Sequence, residues 1–167
     1  MDKNPIQEFI ARLPFFKEFS DTEREKLVNA SGIFEKFKID EVIISEGDMD
    51  ASVFVILTGA VKIKKKPKID LKENHISLQD PEEITIAELK AGSIFGEISL
   101  ISKHPRNTSA IASAEQVVLM KITNEIIEKF NLAIQKKFQN QLIHILVQRL
   151  DDMNTKYIKL KASASKN

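Results

Sequence analysis

The chain has 167 residues, 43% hydrophobic and 29% charged, enough for one domain with a proper core and too few for two of ordinary size. Its 25 basic and 24 acidic residues leave a net charge of +1, so no global field draws the molecule to nucleic acid or to a membrane. With no cysteine, disulfides, thiolate metal sites and cysteine nucleophiles are excluded.

Met1 to Pro14 carries Asp2 and Glu8 among short apolar pieces, a pattern that fits neither a signal peptide nor a membrane span, so a cytoplasmic protein is expected. Pro5 to Leu13 is expected to form a short helix with Ile6, Phe9, Ile10 and Leu13 on one side, bounded by Pro14. Phe15, Phe16 and Phe19 follow as an apolar cluster. Ser20-Asp21-Thr22-Glu23 reads as a capping box that opens a second helix to about Ala30, with Leu27 and Val28 on its core face.

From Ile33 the apolar period changes from helical to alternating. Glu41 to Ile44 reads as a strand ending in the Glu46-Gly47-Asp48 turn. Val53 to Leu57 is a β-branched and aromatic run, closed by Thr58-Gly59, and Ala60 to Ile63 forms its hairpin partner. The lysine-rich stretch that follows, with Pro67, Pro81 and several acids up to Glu83, breaks the strand pattern and reads as a solvated loop or elongated hairpin. Ile84, Ile86 and Leu89 resume a strand, and Thr108 to Ile122 supplies the closing ones.

Between them, residues 92–112 read as an anion-binding turn. Gly96 lets the backbone turn and bring free N–H groups to a ligand, and Glu97 to Leu100 allow one short helical turn behind it. Arg106 completes the cradle, since a guanidinium fork fits two phosphate oxygens at once. Glu97 repels a phosphate but accepts from sugar hydroxyls. The plain alternative is a surface salt bridge between Glu97 and Arg106.

Asn124 to Ile127 opens a helix, and a longer one is expected from about Leu132 to Leu160. Ile143, Leu146, Leu150, Met153, Tyr157 and Leu160 fall at alternating steps of three and four, a heptad seam. Its first turns, around Phe138 and Leu142, are expected to cover the strands. Beyond Leu150 the stripe calls for a partner, and a homodimer through Leu146, Leu150, Met153, Tyr157 and Leu160 is expected. The tail from Lys161 is read as frayed. His75, His104 and His144 lack a second ligand at metal spacing, and no catalytic triad or P-loop is visible, so neither a metal site nor an enzyme is expected.

Phe95-Gly96-Glu97, Ser99-Leu100, Arg106, Ala110 and Ala112 resemble the phosphate-binding cassette of the cyclic-nucleotide-binding domain family, found in bacterial catabolite activators and in regulatory subunits of cyclic-AMP-dependent protein kinase. The run Ile43-Ile44 to Gly47-Asp48 and on to Gly59 resembles that family's other signature, with Asp50 where a small residue is usual. The resemblance implies a mainly β fold with α, an antiparallel jelly-roll β-barrel (33–123) between N-terminal helices (1–32) and C-terminal helices (124–160), in one domain. It further implies phosphate contacts from Arg106, Asn107, Gly96, Ile98 and Ser99, a ribose contact from Glu97, and base contacts from Met153, Asn154 and Thr155. Asn107 and Thr108 depart from the small residues the family usually has after its arginine. The implied function is a receptor for cyclic AMP, ahead of cyclic GMP, that moves its helices on binding and so changes its contacts with an unspecified partner protein. Such a receptor needs no cofactor besides its ligand. The rival is a degenerate barrel kept as a dimerisation scaffold. No helix-turn-helix follows the long helix, so DNA binding is not expected.

Overall fold

Val53, Phe54, Val55 and Ile56 are all buried, because their strand is covered on both faces. Successive side chains point to opposite sides of a sheet. Val53 and Val55 join the core under the helices, while Phe54 and Ile56 join the core between two sheets. This double burial explains a run that is apolar throughout and does not alternate.

The computed structural model describes residues 4–67 and 82–164. The eight strands are β1 (Phe34–Lys38), β2 (Val42–Ile44), β3 (Ser52–Thr58), β4 (Ala60–Lys65), β5 (Ile84–Lys90), β6 (Ile94–Phe95), β7 (Ser109–Ala112) and β8 (Gln116–Thr123). They form two antiparallel four-stranded sheets, ordered β1-β8-β3-β6 and β2-β7-β4-β5. This is the antiparallel jelly-roll fold expected from the sequence, its two sheets not closed into a full barrel. Gly59 joins β3 to β4 at φ 87°, and a Cβ there would stand 2.5 Å from the Gln116 carbonyl oxygen, so the hairpin requires glycine.

Helices α1 (Pro5–Ala11) and α2 (Asp21–Val28) lie ahead of the sheets, with a 3-10 turn at Pro14–Phe16 between them. The Ser20–Glu23 capping box is present as read. After β8 come α4 (Asn124–Glu128) and α5 (Leu132–Ala164), and α3 (Glu97–Ser102) lies between β6 and β7. The last helix runs on past the expected end at Leu160, since Ala162 and Ala164 propagate a helix already nucleated upstream. Ile134, Phe138 and Leu142 are its buried residues, and they anchor its first turns against the N-terminal phenylalanines. Most of the charged loop, His75 included, lies outside the described residues.

Lys137 of α5 reaches both oxygens of Glu23 at 2.8 and 3.0 Å, tying α5 to α2. That hydrogen bond, helped by the Ser20 amide and hydroxyl, outweighs burial and holds the Glu23 carboxyl below its ordinary value of 4.5. A carboxyl depressed in the folded state stabilises fully above its unfolded pKa, and the contribution is lost as pH falls through the lower folded value. Thermal melts should therefore fall below pH 4.5, and less steeply for Glu23→Gln than for the parent. Parallel curves for the two proteins would remove Glu23 from the acid response.

Candidate functional site

Gly96 caps α3 in the left-handed region at φ 82°. A Cβ at this position would lie 2.8 Å from the Ser52 carbonyl oxygen and 2.9 Å from Arg106 Nη1, so glycine is what lets Arg106 approach. Phe95, next to it, pairs with Phe54 in register, and the two rings stack at 5.2 Å. The Arg106 guanidinium lies 5.9 Å from the centre of the Phe54 ring. The Gly47-Asp48 turn holds the same residue by its backbone: Gly47 N–H donates to the Arg106 carbonyl and Arg106 N–H to the Asp48 carbonyl, each at 2.8 Å.

Arg106 is 3% exposed. Its Nη1 donates to the Ser52 and Gly96 carbonyls at 2.8 and 2.7 Å, and its Nη2 to Ser52 Oγ and Asp50 Oδ2 at 2.9 and 3.0 Å. Nε is buried without a hydrogen-bond partner. Arg24 Nε shares that state but does not line the cavity described below. Burial acts to raise the Asp50 carboxyl, yet the hydrogen bonds from Ser52 and Arg106 and the charge of Lys121 prevail and hold it below the ordinary carboxylate value. The alternative of a surface salt bridge between Glu97 and Arg106 does not hold, since each pairs elsewhere. Asp50, standing where a small residue was expected, is the acid that pairs with Arg106.

Glu97 is 1% exposed and pairs through Oε1 with Arg149 of α5, whose other terminal nitrogen donates to the Ile94 carbonyl. Lys65 pairs with Glu46 at 2.6 Å and also donates to the Asn107 carbonyl, fastening the end of β4 to the segment after Arg106. The hydrogen bond from Lys65 is the main reason the Glu46 carboxyl is held below its ordinary value, with the Lys66 amide adding to it.

These groups surround a cavity of about 530 Å³. Gly96, Glu97, Ile98, Ser99, Arg106 and Asn107 line it, together with Thr108. Ile44, Ile63, Ile86, Ala87 and Leu89 supply an apolar wall from the second sheet. Helix α5 closes the other side with Arg149, Asp152, Met153 and Lys156, an i, i+3, i+4, i+7 stripe. Of the three residues expected at the base, Met153 is on this stripe, whereas Asn154 and Thr155 are exposed and do not line the cavity. The stripe continues the phase of Phe138 and Leu142, so counting by helical period from those apolar residues would have found Arg149, Asp152 and Lys156.

Along the heptad seam, Leu146 is half-buried, while Leu150, Met153, Tyr157 and Leu160 are 57%, 66%, 63% and 69% exposed. No helix among the described residues is long and apolar enough to cross a membrane.

The family model for the cyclic nucleotide-binding domain matches residues 34–131, more than half of the chain. The cAMP-dependent protein kinase type II regulatory subunit of Drosophila melanogaster is 24% identical over 157 residues, which is 94% of this chain and 36% of that protein. The cGMP-dependent protein kinase of Toxoplasma gondii is 25% identical over 143 residues, 85% of this chain and 13% of that protein. The chain thus spans well under half the length of either relative. Among solved structures, a cyclic nucleotide-binding domain from Methylobacillus flagellatus matches with a TM-score of 0.69 and 23% identity, covering 92% of this chain and 80% of that one. That likeness is one of fold.

Proposed function

The chain belongs to the cyclic nucleotide-binding domain family, and on that premise we propose that it is a cyclic nucleotide receptor that acts by binding and does no chemistry. The observation that carries the proposal is Arg106, buried at the cavity wall with Nε unpaired. An unsatisfied buried donor on a cation is costly, and a phosphate oxygen supplies what it lacks. Ser99, Asn107, Gly96 and Ile98 line the same cavity, and in this reading they complete the phosphate site. Arg149 engages only Oε1 of Glu97, which leaves Oε2 as an acceptor for a ribose hydroxyl.

In this reading the described residues form one ligand-binding domain, and the bound state is read out through α5. Its Arg149 is the side chain that joins the helix to the cassette. A nucleotide that alters the Glu97–Arg149 contact shifts α5 between two positions, by no more than its difference in affinity for them. The setting expected from the sequence is the cytoplasm, and the partner that reads α5 is a separate protein. The expectation of cyclic AMP ahead of cyclic GMP rests on family company alone, and the relatives matched bear the names of both nucleotides. Calorimetric titration of the chain with each nucleotide tests the proposal. Binding of neither would leave the fold as a scaffold.

The exposed stripe of α5 supports a second element, a homodimer through Leu146, Leu150, Met153, Tyr157 and Leu160. Leu150→Glu places an unpaired charge in that seam, and light scattering should find a dimer for the parent and a monomer for the variant. The same mass for both proteins would remove the seam from assembly.

A further inference from the structure

Strand β4 ends in Lys62, Ile63, Lys64 and Lys65, and the alternation of side chains sends these lysines to different sides. Val61 and Ile63 join the core between the sheets, and Lys65, two residues on, takes their side and lines the cavity with Ile63. Lys62 and Lys64 do not line it. A lysine turned inward is costly unless its ammonium is satisfied. That of Lys65 pairs with Glu46 at 2.6 Å and donates to the Asn107 carbonyl. Glu46 is itself fixed twice more, its Oε2 accepting from Lys66 N–H and its own N–H donating to Ser109 Oγ, each at 3.1 Å. We propose that Lys65, held by Glu46, is a positioning residue of the phosphate site, setting the chain at Asn107 so that the Asn107 amide reaches a phosphate oxygen.

The inference rests on the cyclic nucleotide reading of this cavity and deepens it. Arg106 needs no such help, because its N–H and carbonyl are both bonded to the Gly47-Asp48 turn. Ser109 begins β7, and its buried hydroxyl donates to Glu83 at 2.6 Å. Asn107 and Thr108 form the link between these two fixed points. Among the described residues, the bond from Lys65 is the one hydrogen bond that Asn107 makes. Its side-chain amide therefore has a donor to offer to a ligand, while its backbone is held from β4. A link that is already held loses less freedom when the ligand arrives, and the difference appears as affinity. Because Glu46 neutralises Lys65, the contribution comes from position and not from a free positive charge.

Lys65→Met combined with Glu46→Gln removes both charges of the pair, keeps the net charge of the chain and takes away the donor to Asn107. Titration calorimetry uses whichever of cyclic AMP and cyclic GMP the parent binds more tightly, with thermal melts alongside. The double variant should bind about three- to tenfold more weakly, the cost of ordering one polar side chain. Asn107→Ala alone should lose about tenfold, the scale of one hydrogen bond to a charged group. Added to Asn107→Ala, the Lys65 and Glu46 changes should cost less than twofold more, since the group they position is gone. A pair that only stabilised the fold would lower the melting temperature and cost the same factor with or without Asn107. Lys65→Arg keeps a donor for both partners and should bind within about twofold of the parent, a test that does not depend on how well the uncharged variant folds. Parent-like affinity in the uncharged variant or in Asn107→Ala, losses that multiply in the combination, or a Lys65→Arg as weak as the uncharged variant would overturn the inference and leave the receptor reading standing. A parent that binds neither nucleotide overturns both.

Discussion

Replacing Arg106 by Ala should weaken cyclic nucleotide binding by about 2–4 kcal/mol, the cost of removing one partner of a buried, charge-assisted contact. That corresponds to about thirty- to thousandfold in the dissociation constant. The same change should lower thermal stability, because the guanidinium also satisfies the Ser52 and Gly96 carbonyls and the Asp50 carboxylate. Arg106→Lys separates the two effects. It restores a charge without the planar fork, so it should recover part of the affinity while leaving some of these acceptors unpaired. Calorimetry and thermal melts on the three proteins decide the matter. Parent-like affinity in Arg106→Ala would take the phosphate away from this residue.

Phe138→Ala should cost about 3–5 kcal/mol of folding stability, the range for deleting a large buried aromatic ring. Phe138 is 1% exposed, and its ring lies 4.8 Å from Phe19, 5.7 Å from Phe15 and 6.4 Å from Phe130. It therefore joins α5 to both the N-terminal turn and the segment after α4. Phe138→Leu keeps most of the volume and should lose clearly less. Urea unfolding of the three proteins gives the comparison. A loss under about 1 kcal/mol for Phe138→Ala would mean that α5 is not anchored through this ring.

The elements that local chemistry specifies were legible before the structure. Ser20 and Glu23 satisfy each other's amides within one turn, Gly59 closes a hairpin between two apolar runs, and Gly96 precedes a helix a few residues ahead of Arg106. Each of these signals is complete within about ten residues. The pairings that complete the site are not local. Arg106 meets Asp50 across 56 residues, and Glu97 meets Arg149 across 52, so only the packed sheets bring them together. The rotation of α5 about its axis was hidden for a related reason. Alignment by resemblance placed Met153, Asn154 and Thr155 at the base, but which side of the helix faces the cavity depends on the Phe138 and Leu142 anchor. Near 100° per residue, a shift of one or two positions turns a wall residue outward.

The charges around the cavity balance. Lys65 has Glu46, Arg106 has Asp50 and Arg149 has Glu97 as ion-pair partners, and on the α5 wall Lys156 and Asp152, not bonded to each other, cancel in net charge. An anionic ligand some way off thus meets almost no net field, either from the mouth of the cavity or from a molecule whose total charge is +1. Its arrival is governed by diffusion and fit, with little electrostatic steering. The association rate should then change little between low and physiological ionic strength, unlike that of a protein that captures phosphates with unpaired lysines and loses affinity steeply as salt is added.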